Sequence, residues 1–217
     1  AFGPIFGTIA GIGLWLSLLL KSAFALVGFG AYLSVLAKMP LGVTKYVAIF
    51  FLGLILLLNI FGVKKVGKVQ IIIVALSLAC LTLILIFGLP EINTVFLKPF
   101  LINGKMGLIS TVAFVYISYA GVTKVAAIAG EIKNPDKNLP RAMILSLFIM
   151  TTIYVSIAFI LVGNIPLEAL EKDIKPIYTI ANMLGGEYIG YAAAVIGVIT
   201  LISMANSGVL AASRFPF

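Results

Sequence analysis

Residues 114–140 read FVYISYAGVTKVAAIAGEIKNPDKNLP. The stretch begins as an apolar helix, and at Ser118, Tyr119, Ala120 and Gly121 it meets a small polar cluster near the middle of a run long enough to cross a bilayer. Two readings fit. In one the helix continues unbroken, with a single glycine at a helix contact. In the other it breaks and exposes amide and carbonyl groups. Lipid tolerates such groups only around a protein-lined cavity, where a half-helix terminus offers donors to a carboxylate or acceptors to a cation. From Gly130 the same stretch ends one helix and starts the next. Asn134-Pro135 is a turn signal, Asn138 is expected to cap the following helix, and Pro140 falls near its first turn, where a missing amide hydrogen does no harm.

Outward from this stretch the composition is that of a membrane bundle. Of 217 residues, 62% are apolar and 10% charged, against roughly 45–50% and 25% in soluble domains. The hydrocarbon slab needs about 20 apolar residues per helix. Charge-poor runs of about that length predict six spans, at 8–36, 46–63, 69–89, 107–129, 142–162 and 188–213. The fold class is therefore all-α, a polytopic membrane helix bundle. Both ends are expected to be cut, since Ala1 and Arg214 to Phe217 directly adjoin spans; no charged leader with a small-residue cleavage site precedes the first.

The net charge of +8 reads as loop charge for topology, because no basic cluster is interleaved with aromatics on a soluble surface; nucleic acid is not an expected partner. Alternating loops place Lys64, Lys65, Lys68, Lys133, Lys137, Arg141 and Arg214 on one side and Lys38, Lys45, Lys98, Lys105, Lys172 and Lys175 on the other. The first set sits in short connections, where the positive-inside rule is strongest, and is assigned to the cytoplasm. The longer connections, 90–106 and 163–187, hold five of the seven acidic residues and fall outside, as ordered surface loops. Gly3, Gly7 and Gly11, and Gly186 with Gly190, are spaced for close helix approach. Cys80 is alone and histidine is absent, so no disulfide and no thiolate or imidazole metal site is expected, and no cofactor.

Two lysines lie within spans, and none of the six holds an Asp or Glu. A lysine at the centre of a span costs about 3 kcal/mol on insertion scales. Lys21 has at least thirteen span residues on either side, which at the helical rise puts its ammonium roughly 20 Å from both ends, too far to snorkel. It must face a wet cavity, pair with an acid from elsewhere, or give up its proton. Lys124 lies closer to its helix end, where snorkelling or Glu131 on the same face accounts for it.

At this point a resemblance becomes visible. SYAG (118–121) followed by GEIKNPDKNLPRA (130–142) resembles the sixth-helix signature and following cytoplasmic loop of amino acid permeases of the amino acid-polyamine-organocation superfamily. SMANSGVLAASRFPF (203–217) is similar to that family's eighth helix and WLSLLLKSAFALVGFGAYL (15–33) to its third. The likeness covers essentially the whole chain, as helices three to eight of about twelve, and implies a single transmembrane permease domain over 1–217.

It further implies a fold of two inverted five-helix repeats, with a discontinuous sixth helix at the substrate site. By resemblance, Ser118, Tyr119, Ala120 and Gly121 hold the substrate's amino and carboxyl groups, and Val122 and Thr123 line the pocket. Lys21 and Ser22 join this substrate-binding set, and Lys21 is also a candidate for ion coupling. Many relatives carry an acid two positions after the glycine, where this chain has Thr123. Ser203, Asn206 and Ser207 fall where sodium-coupled relatives of the fold place oxygen ligands, and Ser77 falls roughly where some proton-coupled members carry a lysine.

The implied activity is secondary active transport of an amino acid or related amine across the cell membrane, by alternating access, with proton-coupled symport or exchange; the coupling ion is a proton or sodium. A channel would need pore-lining polar faces or charged rings. An enzyme would need clustered His, Asp or Glu at a membrane face, and only Glu131 and Asp136 stand on the inner side. A transporter-like sensor stays open.

Overall fold

The structure, a computed structural model, describes residues 3–61, 66–98, 104–119, 121 and 132–213. Seven helices follow one another: α1 (Gly3–Ala37), α2 (Leu41–Phe61), α3 (Val66–Gly88), α4 (Gly104–Tyr119), α5 (Pro135–Asn164), the short α6 (Leu167–Lys172) and α7 (Pro176–Ser213). Among the described residues, four helices are long and apolar enough to cross a membrane: Ile5–Ala37, Val69–Gly88, Pro135–Asn164 and Pro176–Ser213. Gly42–Leu57 and Gly104–Tyr116 are shorter apolar helices. Ile60, Ile71 and Phe148 are each at least 70% exposed, a density of bare hydrocarbon that suits lipid and not water.

The expected boundaries shift where local chemistry acts. After α1, Lys38 adopts a positive φ of 50° and the Met39 amide returns to the Ser34 carbonyl at 3.2 Å, closing the helix. Pro40 then accepts from Val43 and Thr44, so α2 starts five residues before the predicted 46 and takes in Lys45, which the sequence reading had put in the connection. The start of α5 corrects a second expectation. Asn134, at φ 49°, accepts from the amides of Lys137 and Asn138, so Asn134-Pro135 opens the helix. Asn138 is not its cap; its amide side chain donates to the Lys133 carbonyl, and Pro140 lies inside the helix.

The connection 163–187 is largely helical. It carries α6 and the opening of α7, which continues into the predicted last span across Gly186, at φ 78° and ψ −177°. Gly186 therefore serves backbone geometry; nothing lies within 4 Å of a Cβ built there, against the expectation of close packing. Gly3, Gly7 and Gly11 likewise meet no other element among the described residues. Gly190 does pack closely: a Cβ there would lie 2.8 Å from Asn182.

The helices contribute to two compact units. The first comprises Ala1–Ser22, Leu101–Thr152 and Ser207–Phe217, the second Ala23–Phe100 and Ile153–Asn206. The core of the second gathers Ile84, Ile157, Ile160, Ile165, Ile180, Ala181 and Ala193. At its edge the buried Asn164 donates to the Gly88 carbonyl at 3.1 Å and to Ile160 at 2.9 Å, joining the end of α5 to the end of α3. In the first unit, the Trp15 indole N–H reaches the Ala212 carbonyl at 3.1 Å, and Ser22 packs so tightly on Gly208 that a Cβ at 208 would overlap its hydroxyl.

Candidate functional site

Helix α4 is mostly apolar after Lys105; it is described as far as Tyr119, and Gly121 lies in a turn. The last carbonyls of a helix carry the negative end of its dipole and suit a cationic donor. Lys21, half-buried on α1, fills that role: its Nζ donates to the Ser118 carbonyl at 3.1 Å. The ammonium also lies against Gly121, where an added Cβ would be 3.3 Å from Nζ. A hydrogen bond from an ionised donor is roughly twice as strong as a neutral one. Two of the candidate residues that are 97 positions apart thus meet, and the partner of Lys21 is a backbone carbonyl, which was not among the options the sequence suggested for it.

The rest of the predicted substrate set distributes as follows. Tyr119 donates its hydroxyl to Thr151 Oγ1 at 3.1 Å, tying the end of α4 to α5. Ser22, next to Lys21, turns instead to the Leu18 carbonyl at 2.9 Å and to Gly208. Ala120, Val122 and Thr123, together with Lys124 and Glu131, lie outside the described residues.

The ion-coupling candidates divide between the units. Ser207 belongs to the first, and Ser77, Ser203 and Asn206 belong to the second. Ser77 Oγ and Thr200 Oγ1 are 2.6 Å apart, and each also lies within reach of a carbonyl one turn back on its own helix, Ile73 at 2.8 Å and Ile196 at 2.7 Å. Two protons therefore serve three contacts. Asn206 Oδ1 accepts from Asn59 at 2.8 Å, and Ser203 is half-buried on α7. A cavity of about 200 Å³ in this unit is lined by the polar side chains of Tyr32, Ser77 and Thr200 among apolar neighbours; Tyr32 accepts from the Ile177 amide at 3.3 Å. A larger cavity of about 380 Å³, between α3 and α7, is lined by apolar side chains and glycine and holds none of the predicted site residues.

Asn59, Thr200 and Tyr32 were missed. Polar residues inside predicted spans were the available signal, but hydroxyls within helices so often bond their own preceding turn that sequence alone does not separate them from structural ones. No group of three or more His, Cys, Asp or Glu able to hold a metal occurs among the described residues.

Residues 1–216 match the amino acid permease family. The chain is 30% identical over 201 residues to an uncharacterized protein of Methanocaldococcus jannaschii, covering 91% of this chain and 46% of that protein. It is 30% identical over 199 residues to the branched-chain amino acid permease BcaP of Lactococcus lactis, covering 81% and 43%. It is 28% identical over 223 residues to the serine/threonine exchanger SteT of Bacillus subtilis, covering 100% and 50%. The chain thus spans about half the length of these relatives.

Proposed function

The chain belongs to the amino acid permease family, and on that premise we propose that the whole protein is a secondary active transporter that moves an amino acid across the cell membrane by alternating access, through proton-coupled symport or exchange. The family is one of membrane transporters and not of enzymes, and the long apolar helices make the chain a multi-pass membrane protein. The observation that carries the proposal is the end of α4. A helix that stops at Tyr119 within an apolar run, with a turn at Gly121 and a deep ammonium on the Ser118 carbonyl, leaves oriented peptide groups where only a protein-lined cavity suits them.

In this reading α4 is the first half of a discontinuous sixth helix within a fold of two inverted repeats. The peptide groups of 118–121 face the amino and carboxyl groups of the substrate, and Val122 and Thr123 line the pocket. Transport requires no covalent step: the two ends of the substrate exchange water for fixed dipoles that are already oriented. The likeness to a branched-chain amino acid permease and to a serine/threonine exchanger supports neutral amino acids as the first substrates to test. For coupling, Ser77 and Asn206 already engage Thr200 and Asn59, which supports hydrogen-bond rearrangement between helices over a vacant set of sodium ligands.

Uptake of labelled leucine, isoleucine, valine, serine and threonine into proteoliposomes holding the full-length protein tests this, with and without an imposed proton gradient and with each amino acid preloaded. Saturable uptake of at least one, driven by the gradient or by preloading, is expected. Blank uptake for all of them and for the remaining amino acids would leave the sensor reading in its place.

A further inference from the structure

A lysine deep in a membrane normally answers to a carboxylate, yet none of the six apolar runs read from the sequence contains one, and the hydrogen bond Lys21 makes is to a main-chain oxygen. That oxygen belongs to the last turn of α4, where successive carbonyls point along the axis and favour a cation. In the permease reading the substrate's ammonium meets the end of α4; we propose that Lys21 is the tethered occupant of that place when it holds no substrate, and that the amino group of the incoming amino acid takes the Ser118 carbonyl by displacing Lys21.

The chemistry of the exchange is symmetrical. A lysine ammonium and an α-ammonium carry the same charge and the same three donors, so a carbonyl end that suits one suits the other. They cannot share it, because two like charges a few ångströms apart repel strongly where the dielectric is low. Gly121 opens the place: with only hydrogen on its Cα the ammonium lies against the turn, whereas a side chain would come within 3.3 Å of Nζ. The arm can also leave. Lys21 is half-buried, and four methylenes connect its ammonium to α1, in contrast to neighbouring Ser22, which is locked against Gly208. The arrangement also answers a physical problem. A helix end in oil with unpaired carbonyls is costly, and a built-in ammonium keeps it satisfied between transport events.

The proposal rests on the permease reading for the identity of the competitor, so one test is independent of transport. In Lys21→Ala the occupant is cut back to its Cβ, leaving room for n-propylammonium. With the full-length protein in detergent, millimolar n-propylammonium is expected to raise the melting temperature of the variant by about 2–4 °C, with no rise for wild type and none with 1-propanol. If the variant is recovered folded only when n-propylammonium is present during purification, that is the same result. No difference between the amine and the alcohol overturns the subsite.

The second test is uptake by Lys21→Met. If Lys21 holds the site about nine-tenths of the time, its removal lowers KM about tenfold, because apparent affinity scales with the fraction of competent sites; Lys21→Arg, which keeps a cation, retains the wild-type value. A KM that is unchanged or raised in Lys21→Met overturns the competition, since a lysine that bound the substrate carboxylate would give the rise. Wild-type protein that transports no amino acid while the propylammonium effect is present rejects the permease reading and keeps the subsite; active wild type with neither effect does the reverse.

Discussion

Ser22 and Lys21 are neighbours with opposite situations, and the difference shows what a single position can tell. Ser22 is 4% exposed, its hydroxyl bonds back to Leu18, and the only way it fits is that residue 208 has no side chain. Gly208→Ala therefore forces a shift against a buried neighbour and is expected to destabilise by about 1–3 kcal/mol. Ser22→Ala removes the oxygen that the new methyl would meet, so the double variant is expected to regain much of that loss. Melting curves of the two single variants and the double one in detergent measure the coupling; strictly additive effects would mean that the two residues do not press on one another. Lys21 could be singled out from the sequence because depth along a helix is arithmetic and a buried charge is rare. Its partner could not, since a backbone carbonyl carries no residue-type signal and becomes available only where a helix stops.

At the scale of elements, the apolar runs marked the long helices well and their ends poorly. Run-scanning finds length and hydrophobicity, so α1, α3 and α5 were placed and the helical connection between α5 and the last span was not: α6 and the first turns of α7 are too short and too mixed in polarity to register, and the turn at Gly186 that joins them to the last span looked like a packing glycine. The cap at Asn134 was read one turn late because Asn138 also fits a capping pattern; the positive φ at Asn134 decides between them. A hydrogen bond that sequence gave no sign of is that of Asn164, 8% exposed, which bridges the ends of α5 and α3 through the Gly88 and Ile160 carbonyls. Asn164→Leu keeps the volume and removes the donor. The Gly88 carbonyl is then buried without a partner, and a loss of about 1–3 kcal/mol is expected. Retention of full thermal stability would show that water or lipid headgroups serve that carbonyl equally well.

At the scale of the whole molecule the question is which face is which. Helix α5 holds thirty residues, about 45 Å at the helical rise, against a hydrocarbon core of about 30 Å, so it is long enough for its two ends to emerge on opposite sides of a bilayer. Lys137 stands exposed in its first turn, and Lys172 is exposed in α6, just beyond its far end. The cytoplasmic assignment of the Lys133, Lys137 and Arg141 cluster came from the density of cations in a short connection, a rule about insertion that the folded structure itself does not express. Labelling separates the crossing from its direction. With Cys80→Ser as background, Lys172→Cys is expected to react with a membrane-impermeant maleimide added to intact cells, and Lys137→Cys only after the membrane is opened. Reaction of both from outside would mean that α5 does not cross. The reverse pattern would keep the crossing and invert the protein, moving α6 and the Gly186 turn to the cytoplasmic face and leaving loop charge a poor guide to this chain.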